Sequence, residues 1–316
     1  MTITQLQYVL AVAEHQNFTH AAEKSFVTQP TLSMQIQKLE DELDILIFDR
    51  SKKPIQLTAV GEKIVEQAKN IVNESHRIQD IVDQEKGFIG GEYRIGIIPT
   101  IMPTLLPLFL KNFVNKYPKV NLKIEEQNTD VLIERLEDGY LDAAIAATPL
   151  QNPNIKESVL YYEPFVAYVP QNHRLNSVKQ LTINDLDLED ILLLEDGHCF
   201  REGVINLCKN KNFKDDRFHL ESGSFETMMK LADEGMGMTL LPFLHTMDLS
   251  ESQKLNLRFF KEPNPAREVS LIYHKSELKM HITQALKDII TGVIRGAIAF
   301  HDVKIISPVP NGNLIK

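Results

Sequence analysis

Residues 58–87, TAVGEKIVEQAKNIVNESHRIQDIVDQEKG, carry no glycine or proline between Glu62 and Lys86. Within them Ile64, Ala68, Ile71, Ser75, Ile78 and Val82 recur at alternating steps of four and three. That spacing is a heptad seam, which requires one long helix with an apolar stripe. A stripe of this kind pairs with a second copy in a dimer or packs on its own domain, and the length without a breaker favours the dimer. The helix divides the chain into residues 1–60, a linker helix over 61–90, a large region over 91–300, and a tail over 301–316.

Before the seam the pattern is helical and short. Leu6, Leu10 and Ala13 share one face of a helix over Thr4 to Gln16. A second helix is expected from Thr19, read as its N-cap. Thr28 then caps a third, with Pro30 in the first turn, where a missing N–H costs nothing. This third helix, TLSMQIQKLEDEL, buries Leu32, Ile36, Leu39 and Leu43 and turns Thr31, Ser33, Gln35 and Lys38 the other way. Helix, tight turn, helix with short polar side chains at the second N-terminus is the arrangement that reads base edges in a DNA major groove. The stretch FDRSKKPIQLT is expected to form a two-stranded wing, bringing Arg50, Lys52 and Lys53 to phosphates. Residues 1–60 nevertheless hold five Lys and Arg against seven Asp and Glu. The plain alternative is thus a small acidic helical domain for protein contacts. The cations gather in the third helix and wing, and the acids at that helix's far end.

The segment AAEKSFVTQPTLSMQIQKLEDELDILIFDR, Ala21 to Arg50, resembles the N-terminal signature of LysR-type transcriptional regulators. The alanine pair, Gln29-Pro30 with Ser33, Gln35 and Ile36, Leu39-Glu40, and Phe48-x-Arg50 fall in register. Asp44 stands where that family usually has glycine, and a left-handed cap tolerates aspartate. The resemblance implies a winged helix-turn-helix over 1–60, a dimerisation linker helix, and binding of double-stranded promoter DNA with inverted-repeat symmetry.

Beyond Gly87–Gly91 strands and helices alternate: YRIGIIP, TLLPLFLKNFVNKY, VNLKIEEQ, DVLIERLEDG, LDAAIAAT. A second unit, over about 164–266, has expected strands at FVAYVP, ILLLE and FHLESG and a helix at FETMMKLADEG. GMGMTLLP and REVSLIYHK follow, and a helix over Leu278 to about Arg295 comes last. Alternation of this kind specifies an α/β fold with a parallel sheet covered on both faces. Two such units joined by crossing strands leave a cleft at the strands' carboxyl ends. SGSFETMMKLADEGMGMTLLP is similar to the second-lobe signature of LysR regulators. The resemblance therefore implies a two-lobed, periplasmic-binding-protein-like regulatory domain. The tail, with two prolines, two asparagines and a glycine in Ser307 to Lys316, is expected to be flexible.

Composition excludes several classes. The chain is 43% hydrophobic and 24% charged, an ordinary globular balance. Its best apolar run, Ile97 to Leu110, is broken by three prolines, so no membrane span is expected. The N-terminus does not read as a secretory signal, and a cytoplasmic protein is expected. A net charge of −9 argues against nonspecific coating of nucleic acid but not against a local reading element. No His/Cys/Asp set has metal-ligand spacing, so neither a metal site nor a cofactor is expected.

The chain has only two cysteines, Cys199 and Cys208, in LLLEDGHCFREGVINLC. On a helix, nine residues separate their backbones by about 13 Å and turn the side chains to opposite faces. A disulfide needs Cα atoms within about 7 Å, so the pair bonds only if the helix unwinds. The same spacing fits two unrelated buried thiols. Cys199 opens the helix, where a thiolate is favoured, and Arg201 adds charge, while Glu195, Asp196 and Glu202 oppose it.

This segment resembles the peroxide-sensing regulators of the LysR family. GIIPTIMPTLLP and EEQNTDVLIERLEDGYLD resemble them too. The resemblance implies that hydrogen peroxide oxidises Cys199 to a sulfenic acid and that Cys208 resolves it as a disulfide. It further implies a peroxide pocket formed with Thr100, Thr129, His198 and Arg201, a homotetramer of two dimers, and contact with RNA polymerase. For both threonines helix capping is the plain alternative. Two other functions remain open: a regulator whose cleft binds a metabolite, and a thiol-dependent peroxidase, which leaves residues 1–60 unexplained.

Overall fold

The structure, a computed structural model, describes residues 1–85, 89–208, 222–298 and 303–309. The chain divides into two compact units, Met1–Phe88 and Ile89–Lys316.

The first unit consists of α1 (Ile3–His15), α2 (Phe18–Lys24), α3 (Gln29–Leu43), β1 (Phe48–Asp49), β2 (Gln56–Leu57) and α4 (Ala59–Glu85). Local chemistry sets each boundary. Thr2 and Gln5 form a capping box at α1. Asn17 caps α2, its Oδ1 accepting from the N–H groups of Thr19 and His20, so Thr19, expected as the cap, lies two residues past it. Thr28 caps α3 with Pro30 in the first turn, and Asp44 closes it with φ 53°. Leu32, Ile36 and Leu39 are buried against Leu6, Val9, Val12 and Ala21, each contributing about 1.5–3 kcal/mol. Leu43, expected beside them, is exposed, because the chain reverses at Asp44 and leaves the last turn uncovered.

The heptad seam of α4 is split. Ala68 is buried and Ile64 half-buried against the first unit's own core, alongside Val65 and Val72. These two positions therefore do not line a free seam: α4 begins by packing on α1. Further along, Ser75 is half-buried, and Ile71, Ile78 and Val82 are exposed together with Ile81.

The second unit runs β3 (Gly91–Ile97), α5 (Met102–Lys116), β4 (Val120–Glu126), α6 (Thr129–Glu137), β5 (Ala143–Thr148), β6 (Ile155–Tyr168) and β7 (Gln180–Leu181). It continues through α7 (Cys199–Leu207), α8 (Phe225–Asp233), β8 (Thr239–Pro242), α9 (Phe243–Thr246) and α10 (Glu251–Lys254). The last elements are β9 (Leu257–Phe260), β10 (Asn264–His274), α11 (Met280–Ile294) and β11 (Val303–Ile305). The sheet is mixed rather than purely parallel. β3 pairs parallel with β4 and β5, whereas β10 runs antiparallel to both β5 and β6. β6 spans 14 residues and β10 spans 11. β6 passes through two cores: Leu160 and Tyr161 lie in the first lobe, Phe165, Ala167 and Tyr168 in the second.

Two expectations are corrected. ILLLE is not a strand: only Ile191 is bridged, to Met238, while Leu192 to Leu194 are buried in the second core without a ladder. The tail is not free throughout. Val303–Ile305 pairs parallel with β10, and Ile306 is buried in the second core, since three apolar residues in this stretch find an open strand edge. The strand expected at FHLESG, residues 218–223, falls mainly outside the described residues, as do residues 310–316 of the tail.

Candidate functional site

The helix-turn-helix presents Gln29, Pro30, Thr31 and Lys38 as exposed side chains, with Ser33 and Gln35 half-buried on the flanks of α3. The Gln35 side-chain oxygen and backbone carbonyl both accept from Gln5 Nε2, at 3.4 Å each. Lys52 and Lys53 are exposed at the wing. Arg50 is engaged within the unit. Its Nη2 donates to Glu40 Oε2 at 2.7 Å, and its guanidinium lies 5.2 Å from the Phe18 ring centroid. Glu40 is itself buried, and its other oxygen accepts from the backbone N–H groups of Ile47 and Phe48. Arg50 thus holds the wing in place. Sequence pattern alone marks it as a cation but not as a partner of Glu40.

The cysteines belong to different cores. α7 opens on Cys199 and ends at Leu207, with Cys208 as its C-cap. Cys199 is half-buried against the first lobe's core, whereas Cys208 is buried in the second lobe's core. Both thiols are free. The turn into α7 uses Gly197 at φ +87°, a conformation glycine adopts at little cost. A side chain there would meet the Asn128 amide at 3.6 Å, so this turn lies against the first lobe.

Burial pushes the Cys199 thiol up from its ordinary value. The positive charge of Arg267, the Thr129 hydroxyl and the backbone of Ala147 pull it back down. Arg267 is the residue that sequence reasoning missed. It is 3% exposed and paired with Glu163, 1% exposed, through Nε and Nη2 at 2.9 and 2.7 Å. Register explains the pairing, since Arg267 stands opposite Glu163 where β10 crosses β6. The available signal was a glutamate inside the apolar pattern YYEPFVAY and an Arg-Glu pair at the head of REVSLIYH. Arg267 also donates from Nη1 to the Thr100 hydroxyl at 2.9 Å and from Nη2 to the Thr100 carbonyl at 3.0 Å. Its guanidinium lies 5.2 Å from the centroid of the Phe200 ring, which packs at 5.0 Å on both Phe165 and Phe225.

Neither threonine caps a helix: α5 is preceded by Ile101 and α6 by Asn128, with no side-chain cap at either. Thr100 is committed to Arg267. The Thr129 hydroxyl is buried and has no nitrogen or oxygen partner. The structure thus brings Thr100, Thr129, Cys199 and Arg267 together at the lobe junction.

His198 and Arg201 face elsewhere. His198 Nε2 is 3.2 Å from Glu195 Oε1. Arg201 pairs with Asp196 at 2.8 Å and donates to the Leu194 carbonyl at 2.9 Å. Both fasten the loop before α7, and neither is among the groups that shift the Cys199 thiol. For Cys208 burial is the main cause and Asp187 the second, pushing its thiol up to about 12. Among the described residues no His/Cys/Asp/Glu group could hold a metal ion.

Residues 3–62 match the bacterial regulatory helix-turn-helix proteins of the lysR family, and residues 86–295 match the LysR substrate binding domain. The chain belongs to the LysR family. It is a DNA-binding transcriptional regulator with the two-part α/β architecture of LysR proteins. The chain is 32% identical over 273 residues to the "Hydrogen peroxide-inducible genes activator" of Pectobacterium carotovorum, covering 86% of this chain and 90% of that protein. Among solved structures it is similar to a full-length cysteine-to-aspartate variant of OxyR from Pseudomonas aeruginosa. That match has a TM-score of 0.74 and 33% identity, covering 92% of this chain and 98% of the other. A cysteine variant of Corynebacterium glutamicum OxyR with hydrogen peroxide bound matches at TM-score 0.63 and 28% identity, over 95% and 94% of the two chains. No helix among the described residues is long and apolar enough to cross a membrane.

Proposed function

We propose that this LysR regulator is an activator of oxidative-stress genes that responds to hydrogen peroxide through Cys199 and Cys208. The observation that carries the reading is the setting of Cys199. It sits at the first position of α7, at the lobe junction, within reach of the Arg267 charge and beside an otherwise unpartnered Thr129 hydroxyl. The thiolate is the nucleophile in this chemistry. Cys199 loses its proton and attacks one peroxide oxygen. The O–O bond breaks, the leaving hydroxide takes a proton to become water, and Cys199 becomes a sulfenic acid. The Cys208 thiol then attacks that sulfur, forming the S–S bond and releasing a second water. Arg267 favours the thiolate, and Thr129 is placed to donate to it or to the incoming peroxide. Thr100 orients Arg267, while His198 and Arg201 hold the loop from which α7 starts.

The second step demands refolding. With α7 intact the cysteines are about 13 Å apart, twice the disulfide limit. Unwinding removes Cys199 from the first core and Cys208 from the second, and it withdraws Phe200 from the face of Arg267. One bond therefore biases both lobes at once, which is what a two-state switch requires.

The exposed half of the α4 seam supports a dimer, and two dimers would place paired reading heads on an inverted-repeat promoter where RNA polymerase is contacted. The protein is proposed to act in the cytoplasm. The OxyR relatives named above support this reading over a metabolite-responsive regulator. Thiol trapping tests it. One equivalent of hydrogen peroxide should give a Cys199–Cys208 disulfide in the native protein, and two alkylatable thiols after treatment would overturn the reading.

A further inference from the structure

The outward face of α3 carries more than the polar groups expected to read bases. Leu32, Ile36 and Leu39 point into the core. At about 100° per residue, the opposite side of the helix runs through Pro30, Met34, Gln37 and, at the helix's far end, Asp41, flanked by Thr31 and Lys38. Met34 is 62% exposed at the centre of that side. Phe26, in the turn that leads into α3, is 96% exposed and has φ 55°. That backbone conformation suits glycine or asparagine better than an aromatic residue. A phenyl ring held there in solvent adds nothing to the unit's own core. Two large apolar side chains therefore stand at the tip and on the outer face of a helix that also exposes Lys38, in a unit whose wing exposes Lys52 and Lys53. These cations suit phosphate, which makes the occupant of this face duplex DNA rather than an apolar protein surface.

In the major groove the one apolar group on a base edge is the C5 methyl of thymine. We propose that Met34 and Phe26 read thymine methyl groups, so that the half-site of this protein specifies thymine by hydrophobic contact at the positions they face. The flexible thioether of Met34 suits such a contact. This inference does not depend on what the thiols do.

The test uses the full-length protein, reduced and peroxide-treated in parallel, to select bound duplexes from a random-sequence library. Each thymine of the selected half-site is then replaced by deoxyuridine, which removes only the C5 methyl. Binding should weaken about fourfold at the methyls that are contacted. Met34→Ala should lose that discrimination at one position and Phe26→Asn at another, with unchanged melting temperature and unchanged salt dependence. Uracil tolerated at every position within 1.5-fold would overturn the proposal, as would a Met34→Ala variant that keeps the full thymine preference. Variants that bind DNA normally but fail to activate transcription would also overturn it, assigning the face to a protein partner instead.

Discussion

Cys199 and Cys208 are the same residue type at the two ends of one helix, yet their surroundings are opposed. Cys199 sits where two lobes meet, with a buried guanidinium, a hydroxyl and backbone groups offsetting the cost of burial. Cys208 sits inside one core, where burial and the Asp187 carboxylate act together and push its thiol up to about 12. Burial disfavours the thiolate at both ends, and only at Cys199 is it opposed. In the proposed function this contrast gives the first reaction to Cys199 and leaves Cys208 to follow once the helix opens. On that proposal, a thiol buried while the fold is intact would not resolve a sulfenic acid until α7 opens, which would couple opening to bonding.

The largest expected effect is all-or-none. Cys199→Ser should abolish peroxide-induced transcription and leave Cys208 fully alkylatable, whereas Cys208→Ser should stop at a sulfenic acid that dimedone traps. Retained induction in Cys199→Ser would break the assignment. Next comes the charge that distinguishes the two ends. Arg267→Met leaves the buried Glu163 carboxylate without its counter-charge, holding only the Leu244 N–H, and should cost about 3–5 kcal/mol in denaturant unfolding. In the folded fraction the Cys199 thiol should titrate at a still higher pH than in the wild type. An unshifted alkylation profile would show that Arg267 does not act on the sulfur.

Thr129→Val removes a hydroxyl that has no other partner, so stability should hardly change. The rate of Cys199 oxidation should fall roughly tenfold, the scale of a hydrogen bond to a charged group. Smaller still is the difference in pH dependence with alkylating reagents. Both thiols are raised, so both rates should climb with pH, and the half-buried Cys199 should react faster than the buried Cys208. Equal rates at pH 8 would erase the comparison. The smallest effect concerns the Cys208 end alone. Asn206 Nδ2 donates to the carbonyls of Ser307 and Val309 at 3.0 and 2.8 Å, tying α7 to the tail. Asn206→Ala should lower stability by about 1 kcal/mol and speed disulfide formation without altering the first oxidation.

Legibility in the sequence followed the range of the interactions. The third helix of the reading head was legible in all but Leu43 because its signals are local: a threonine cap, a proline in the first turn, apolar steps of four and three, and an aspartate in a left-handed cap. The Arg50–Glu40 pair was not legible, since it depends on where a wing folds back. The α4 seam was read as continuous, yet Ile64 and Ala68 serve the domain's own core, and periodicity does not say which partner a stripe will meet. At the lobe junction the cysteines and the two threonines were found by pattern and resemblance. Arg267 and Glu163 were not, because they lie 104 residues apart and meet only through antiparallel register. The orientation of His198 and Arg201 was equally out of reach, since both turn toward the loop that precedes them. The docked tail strand at Val303–Ile305 was hidden by the polar, proline-bearing residues after it.

The most direct measurement is peptide mass spectrometry of the fully reduced, full-length protein, quenched by alkylation at intervals of seconds after one equivalent of hydrogen peroxide. Sulfenic acid at Cys199 should appear first and a Cys199–Cys208 disulfide should replace it, with Cys208 never oxidised alone. Oxidation beginning at Cys208, or both thiols remaining alkylatable, would contradict the division of labour between the two ends of α7.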